Sequence, residues 1–267
     1  MGNKKINTLL IGLGKIGYIY DFSINFKVDK PDSSTKIITH ARAISCHPNF
    51  NFASAIDINN DACEQFNLIY DAPTYNNIDS FINKEKVNID FVIIAVNPHN
   101  QPDLIKEVIK KINPKVLLIE KPIAVSMKET LEINYILKKY PDLIVNVNYG
   151  RRYLPLVKDW KEKIELGELG KFLHGHIIYG KGLMTNGSHF LNLAQYWIGK
   201  LKHVKTLNKG NKFIDYDNEL SCILSTNNNE SFLGLYSVGN ENLRAGELDL
   251  WFEKGRLCWH NNGESLL

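Results

Sequence analysis

The feature that most constrains this chain is Gly12-Leu13-Gly14-Lys15-Ile16-Gly17, three glycines spaced GxGxxG directly after the apolar run Ile6 to Ile11. An unbroken apolar run of that length reads as a parallel strand buried on both faces, and the glycines end it in a tight turn that opens a helix. In such a unit Gly12 allows the turn, Gly14 lets the backbone approach a pyrophosphate, and Gly17 permits close packing of helix on strand. The helix start offers unpaired N–H groups and a favourable dipole to phosphate, so Lys15 and Ile16 are counted with the glycines as cofactor-binding. The alternative is an ordinary glycine turn.

Four more apolar runs follow: Phe52 to Ile56 ending at Asp57, Phe91 to Val96 closed by Asn97-Pro98, Val116 to Ile119 closed by Glu120-Lys121-Pro122, and Leu143 to Val147. Helical periodicity spans Asp103 to Ile112 and Ser126 to Tyr140, the latter opening with Ser126 and Glu129 as a capping box. Strands alternating with helices predict an α/β Rossmann unit with a doubly wound parallel sheet. A carboxylate at the end of the second strand can accept from the ribose hydroxyls and repels a 2′-phosphate, so Asp57 favours NAD over NADP. Asp57 stands 40 residues beyond Gly17, about twice the expected separation of about 20. An insertion from about Tyr20 to Ile38, with a helix resuming at Thr39, accounts for the excess. The alternative for Asp57 is a strand-end turn residue or helix cap.

After Arg152 the rhythm changes. One helix, about Pro155 to Leu166, precedes a run of strands: Phe172 to Tyr179, Leu220 to Ser225, Phe232 to Val238, Glu247 to Glu253 and Arg256 to His260. Turns at Asn227-Asn228-Asn229 and Lys254-Gly255 join neighbours as hairpins. The second half is therefore expected to be an α+β domain with an open, mainly antiparallel sheet, interrupted by a helix from Ser188 to Ile198. The predicted domains are 1–149 and 150–267. Phe232 to Val238 is apolar on both faces, so either the Ser188 helix covers it or a subunit interface does.

The composition is that of an ordinary globular chain: 267 residues, 44% hydrophobic and 23% charged. A net charge of +3 without a basic stripe argues against nucleic acid as a partner. Cys46, Cys63, Cys222 and Cys258 form no CxxC pair, which argues against a zinc site and for reduced thiols, with no metal expected. No apolar run approaches the roughly 18 residues of a membrane span, and residues 1–5 lead straight into a strand, so a cytoplasmic protein is expected. MGNKKI starts like a myristoylation signal, but Ile6 stands where Ser or Thr is required.

Glu120-Lys121-Pro122 lies at the carboxyl end of a parallel strand, where ligands collect in open α/β sheets. A lysine there can donate to a substrate oxygen and stabilise developing negative charge. GxGxxG, a strand-end Asp, Glu-Lys-Pro and a Gly-rich segment leading into His189 together resemble the glucose-fructose oxidoreductase, inositol dehydrogenase and rhizopine-catabolism family (Gfo/Idh/MocA), from about Ile6 to Cys258. The resemblance implies an NAD(H)-dependent oxidoreductase that moves hydride between nicotinamide and a carbinol carbon of a sugar or sugar derivative. It gives Lys121 the role of orienting the substrate and His189 that of acid/base, a task suited to an imidazole. It also counts Glu120 among the cofactor contacts and passes Asn97-Pro98 beneath the nicotinamide. Pro102 replaces the histidine usually found four residues after that proline, and His99 receives no role.

The chain departs from the family's Asp-x-Gly-x-His: Thr185 occupies the aspartate's place, and Asn192 a second position where aspartate is frequent. Asn186 could hydrogen-bond the substrate but cannot move a proton. Arg151 and Arg152 follow the last parallel strand at the expected domain junction, where they could grip a phosphate or carboxylate, or instead form salt bridges. Lys181 is a further candidate for an anionic group. Asn-Tyr-x-Arg-Arg with Asn-Gly-Ser-His is similar to members in surface-polysaccharide and nucleotide-sugar pathways. Family members continue past the strand holding Trp259, so a shortened C-terminal part is expected, with a homo-oligomer, dimer or tetramer, formed through the C-terminal sheet. The alternatives are a redox-silent binder of NAD or sugar acting as sensor or scaffold, and a plain NAD-binding module of a larger assembly.

Overall fold

The computed structural model describes residues 5–21, 37–227, 230–240, 243, 245–260 and 265–266. The chain divides into two compact units, Met1–Asn148 and Tyr149–Leu267.

The first unit runs β1 (Ile6–Ile11), α1 (His40–Cys46), β2 (Phe50–Ile56), α2 (Asn60–Tyr70), β3 (Thr74–Tyr75), α3 (Ile78–Lys84), β4 (Phe91–Ile94), α4 (Gln101–Lys111), β5 (Val116–Ile119), α5 (Met127–Leu137) and β6 (Ile144–Val147). The six strands are parallel in the order β3-β2-β1-β4-β5-β6, so the strand order reverses between β1 and β4. Alternate residues of the central strands feed two cores: Leu9, Ile11, Val92 and Ile94 on one face, Leu10 and Ile93 on the other. The unbroken apolar runs therefore reflect burial on both sides. Ser126 caps α5 as expected, accepting the Glu129 N–H while its hydroxyl reaches the Glu129 carboxylate at 2.9 Å.

One expectation is corrected at the start of the unit. No continuous helix follows the glycines; Gly14 to Tyr20 makes successive turns, and a 3₁₀ turn covers Ile19–Asp21. The helix is split rather than missing. The N–H groups of His40 and Ala41 donate to the carbonyls of Ile16 (3.1 Å) and Gly17 (2.9 Å). Those partners are 24 positions apart instead of the 4 of a continuous helix, so twenty residues are looped out. Removing twenty from the forty between Gly17 and Asp57 restores the expected spacing. The expected insertion largely falls on residues 22–36, which lie outside the described residues; its roots are joined by Asp21, whose carboxylate accepts from the N–H groups of Ile38 (3.1 Å) and Thr39 (3.0 Å). α2, β3 and α3 were not expected from the apolar runs.

The second unit contains a 3₁₀ turn at Gly150–Tyr153, then α6 (Pro155–Glu165), β7 (Phe172–Tyr179), a π-helical turn Leu183–Gly187, α7 (Ser188–Ile198), β8 (Leu201–Asn208), β9 (Lys212–Ile214), β10 (Asp217–Asn218), β11 (Ser221–Thr226), β12 (Phe232–Ser237), β13 (Gly246–Phe252), β14 (Gly255–His260) and β15 (Ser265–Leu266). Seven strands form one sheet in the order β15-β14-β13-β7-β12-β11-β8, antiparallel except where β12 meets β7. The Lys254-Gly255 hairpin joins β13 and β14; Asn228 and Asn229 of the other expected turn lie outside the described residues, although β11 and β12 pair antiparallel. β8 and the small β9-β10 ladder were not expected. Phe190, Leu193, Ala194 and Trp197 of α7 pack on Ile177, Leu233, Leu235, Leu248 and Leu250, so the helix covers one face of the sheet. Among the described residues no helix is long and apolar enough to cross a membrane.

Candidate functional site

In the first unit the glycine segment separates two kinds of demand. Gly12 adopts φ +102°, and a Cβ there would stand 2.4 Å from the Ala95 carbonyl oxygen, while at Gly17 it would stand 2.3 Å from the Gly12 carbonyl oxygen. Both glycines are required by the protein's own packing. A Cβ on Gly14 would meet nothing within 4 Å. The open space over Gly14 belongs to a cavity of about 590 Å³ at the carboxyl ends of β1, β2 and β4, lined also by Gly12, Asp57, Asn97, His99 and Asp103. This is where an open α/β sheet places a ligand.

Asp57 sits at the end of β2 as expected, but it has work inside the protein. One carboxylate oxygen accepts the Leu13 N–H at 2.7 Å and the other the Asn59 N–H at 2.9 Å, fixing the glycine segment against the β2 end. A carboxylate has about four acceptor positions, so it retains capacity for hydroxyl donors. Asn97 holds its own turn, its side-chain oxygen accepting the His99 N–H at 3.0 Å. Pro102 is buried in the first turn of α4.

Glu120, Lys121 and Pro122 follow β5, with a cis peptide bond between Lys121 and Pro122. Glu120 is 8% exposed. It lies 2.8 Å from His40 Nε2, accepts from Asn148 Nδ2 at 2.6 Å, and receives the Lys121 N–H at 3.2 Å. Burial pushes its pKa up, but the hydrogen bonds from His40 and Asn148, the His40 charge and the Lys121 amide outweigh that and hold it below the ordinary carboxylate range. Glu120 is thus engaged with the protein itself, and Lys121, next in the chain, is placed by that anchor.

In the second unit, His189 stands in the first turn of α7 and meets the Tyr149 ring edge-on at 5.8 Å. The two arginines contact different residues. Arg152 donates to the side-chain oxygen of Asn192 through Nε and to the Asn192 carbonyl at 3.0 Å through Nη2, tying the 3₁₀ turn to α7. Arg151 lies over the rings of Phe190 (4.8 Å) and Trp259 (5.8 Å), and burial lowers its pKa. Asn186 spends both hydrogens of its amide on the carbonyls of Gly180 (2.9 Å) and Ala245 (3.0 Å), leaving only its oxygen for a substrate.

Two buried acids, unanticipated in the sequence, hold the segment that leads to His189. Asp217, 1% exposed, accepts the N–H groups of Met184 and Thr185 at 2.8 Å each. Glu219 accepts those of Lys181 at 2.7 Å and Gly182 at 3.3 Å. Lys181 is held at φ +63°, a conformation uncommon outside glycine. Burial, with Asp217 and Glu219 nearby, also pushes the Tyr179 phenol well above its ordinary pKa.

Residues 36–149 match the family described as an oxidoreductase family with an NAD-binding Rossmann fold. Over those residues the match is to the Gfo/Idh/MocA family model. No curated protein matches the sequence. Among solved structures, the WlbA dehydrogenase of Chromobacterium violaceum, in complex with NADH and UDP-GlcNAcA, has a TM-score of 0.75 at 14% identity, with 97% of this chain and 75% of that one covered. A myo-inositol dehydrogenase of Corynebacterium glutamicum has 0.72 at 16%, covering 95% and 74%. A 3-ketoreductase from Actinomadura kijaniata in complex with NADP has 0.74 at 13%, covering 98% and 77%. At these identities the likeness establishes the fold.

The first unit brings Gly12, Gly14, Asp57 and Asn97 to one cavity. Lys15 and Ile16 belong to the adjoining turn, where their carbonyls accept the N–H groups of Tyr20 (2.9 Å) and His40. Sequence reasoning missed His40, Asp217 and Glu219, and quoted Asn148 in Asn-Tyr-x-Arg-Arg without giving it a role. His40 left a trace, in that it stands at the start of the resumed helix behind the capping Thr39.

Proposed function

We propose that this protein is an NAD-dependent dehydrogenase or reductase of a sugar or sugar derivative. The observation that carries the reading is the cavity over Gly14, the one glycine of the segment that the protein's own packing does not require. Its lining fits a dinucleotide: backbone open to a pyrophosphate at Gly14, with Lys15, Ile16 and Gly17 alongside, and Asn97-Pro98 at the end of β4. Asp57, joined by Asp103 on the lining, gives the cavity an acidic character that favours NAD over a 2′-phosphorylated cofactor. Bound nicotinamide supplies the hydride acceptor or donor.

Lys121 donates a hydrogen bond to the substrate oxygen and stabilises its developing charge, and His189 takes up the hydroxyl proton in the oxidation direction. We take the domains to divide at about residue 149, and Thr185 contributes a hydroxyl where the family has a carboxylate. Arg151 supports an anionic substrate such as a sugar acid or nucleotide sugar: its Nη1, like Trp259 Nε1, is buried without an acceptor among the described residues. Lys181 adds a second positive charge. The charged nucleotide sugar bound by the WlbA dehydrogenase is of this class. We place the protein in the cytoplasm, where its free cysteines stay reduced, and assign it a homo-oligomeric state through the second unit's sheet.

The test is NADH absorbance with NAD and a panel of neutral sugars, sugar acids and nucleotide sugars, with Lys121→Ala and His189→Ala as controls. The expected result is a signal with anionic members of the panel that falls by on the order of 10²- to 10⁴-fold in either variant. Activity that survives both substitutions overturns the mechanism. Silence across the panel with NAD still bound favours a redox-silent sensor or scaffold, a reading supported by the absence of a carboxylate at Thr185 and by Asn186 being committed to backbone carbonyls.

A further inference from the structure

We propose that His40 is a positioning residue that acts through the Glu120 carboxylate to place Lys121 and tie it to the glycine segment. The inference rests on the reading of Lys121 as the group that donates to the substrate oxygen. His40 has two attachments. Its backbone N–H donates to the Ile16 carbonyl at 3.1 Å, inside the glycine segment, and its Nε2 lies 2.8 Å from Glu120 Oε1. Because an ionised carboxylate only accepts, Nε2 carries the hydrogen of that bond.

Glu120 gathers donors from three places: α1 through His40, the end of β6 through Asn148, and the turn itself through the Lys121 N–H. Of these only His40 reaches back to the dinucleotide segment. Glu120 is 8% exposed and His40 also 8%, so water cannot readily replace the imidazole as a donor. The bond from the imidazole therefore fixes which way the carboxylate faces, and the carboxylate fixes the backbone from which Lys121 springs. A shift of Ile16 on dinucleotide binding is carried through one residue to the lysine. The looped-out residues make the arrangement informative: although twenty residues intervene, Asp21 and Thr39 close the loop so that His40 still lands on the turn.

The experiment compares wild type with His40→Ala, His40→Gln, Lys121→Ala and the double variant His40→Ala/Lys121→Ala. NADH affinity is read by fluorescence, kcat and KM on the best substrate of the panel, and Lys121 by NMR of ¹³C-methylated lysines assigned with Lys121→Arg. In His40→Ala, NADH affinity is expected to stay within about threefold while kcat falls on the order of 10- to 100-fold with KM little changed. His40→Gln, which restores a donor, recovers part of kcat, and the double variant is no slower than Lys121→Ala alone. Unchanged kcat in folded His40→Ala, parallel loss of affinity and kcat, or additive losses in the double variant overturn the proposal. If wild type turns over no sugar, the dehydrogenase reading fails but this one is still decided: NADH should move the Lys121 methyl resonance in wild type and not in His40→Ala. An equal shift in both, or none in wild type, overturns it.

Discussion

Three glycines that look alike in the sequence differ in what holds them in place, and this separates folding from binding. Gly12→Ala combines a positive φ with a Cβ driven into Ala95, and Gly17→Ala drives one into Gly12, so each is expected to cost about 2 kcal/mol or more of stability. Gly14→Ala meets open space and should change stability by no more than about 0.5 kcal/mol, yet place a methyl where a pyrophosphate approaches and weaken NADH binding at least about tenfold. Thermal melts beside NADH titrations check the split; a Gly14→Ala protein that binds normally removes the assignment of that space. Glu120 gives a pH test. Its folded pKa is lowered from the ordinary 4.5, so its stabilisation is complete above that value and is lost as pH falls through the lower folded pKa. Wild type should therefore exceed Glu120→Gln in urea stability at pH 7, with the gap closing below about pH 4; a gap that widens in acid contradicts the cause assigned. The positions of Glu120 and Asp57 were readable because strand ends are marked locally. The partner of Glu120 was not, since His40 lies 80 residues away and nothing local to either residue records their meeting.

At the scale of elements, the split helix shows why a motif can look wrong by spacing and still be right in space. Gly17 to Asp57 is too long for the unit only until the hydrogen bonds from His40 and Ala41 to Ile16 and Gly17 are counted. Because Asp21 accepts from Ile38 and Thr39 at the roots, replacing residues 22–36 with a three-glycine linker should leave the fold intact and raise stability by about 1 kcal/mol through the shorter closure. Circular dichroism and urea unfolding check this, and loss of the native spectrum would mean that the removed residues support the fold. Elements with their own periodicity were legible: β7 and α7 run Phe172–Tyr179 and Ser188–Ile198 as expected. β8 was not, because it is an edge strand with only Leu201 and no other residue even partly shielded, so no alternation is written into it. α2 carried a signal in its Asn59 cap and in Cys63 and Phe66 on one face, but two buried positions are too few to write a helical period into the sequence.

At the scale of the whole molecule, the two faces of the second sheet have different fates, and register shows this row by row. Leu235, Ile177, Leu248 and Trp259 are paired across β12, β7, β13 and β14 on the face that α7 covers. The neighbouring row on the other face reads Phe232, His174, Trp251 and Arg256, with Trp251 stacked on His174 and the Arg256 guanidinium 4.5 Å from the Trp251 ring. Among the described residues no helix of the unit packs there, and Phe232, Tyr236 and Trp251 are 46%, 39% and 40% exposed. The sequence posed helix or subunit as alternatives for this strand; α7 answers for one face only, and the homo-oligomer proposed above would bury the other. An interface related by a two-fold axis brings the same patch to both sides, so a charge placed in it faces its own copy and repels it. Phe232→Glu with Trp251→Glu should thus convert an oligomer seen by light scattering at micromolar concentration into monomer while leaving the melting temperature of the unit close to wild type, since both side chains already face outward. A wild-type protein that is monomeric across that range would leave this face to water, and the repulsion built into the variant would then have nothing to break.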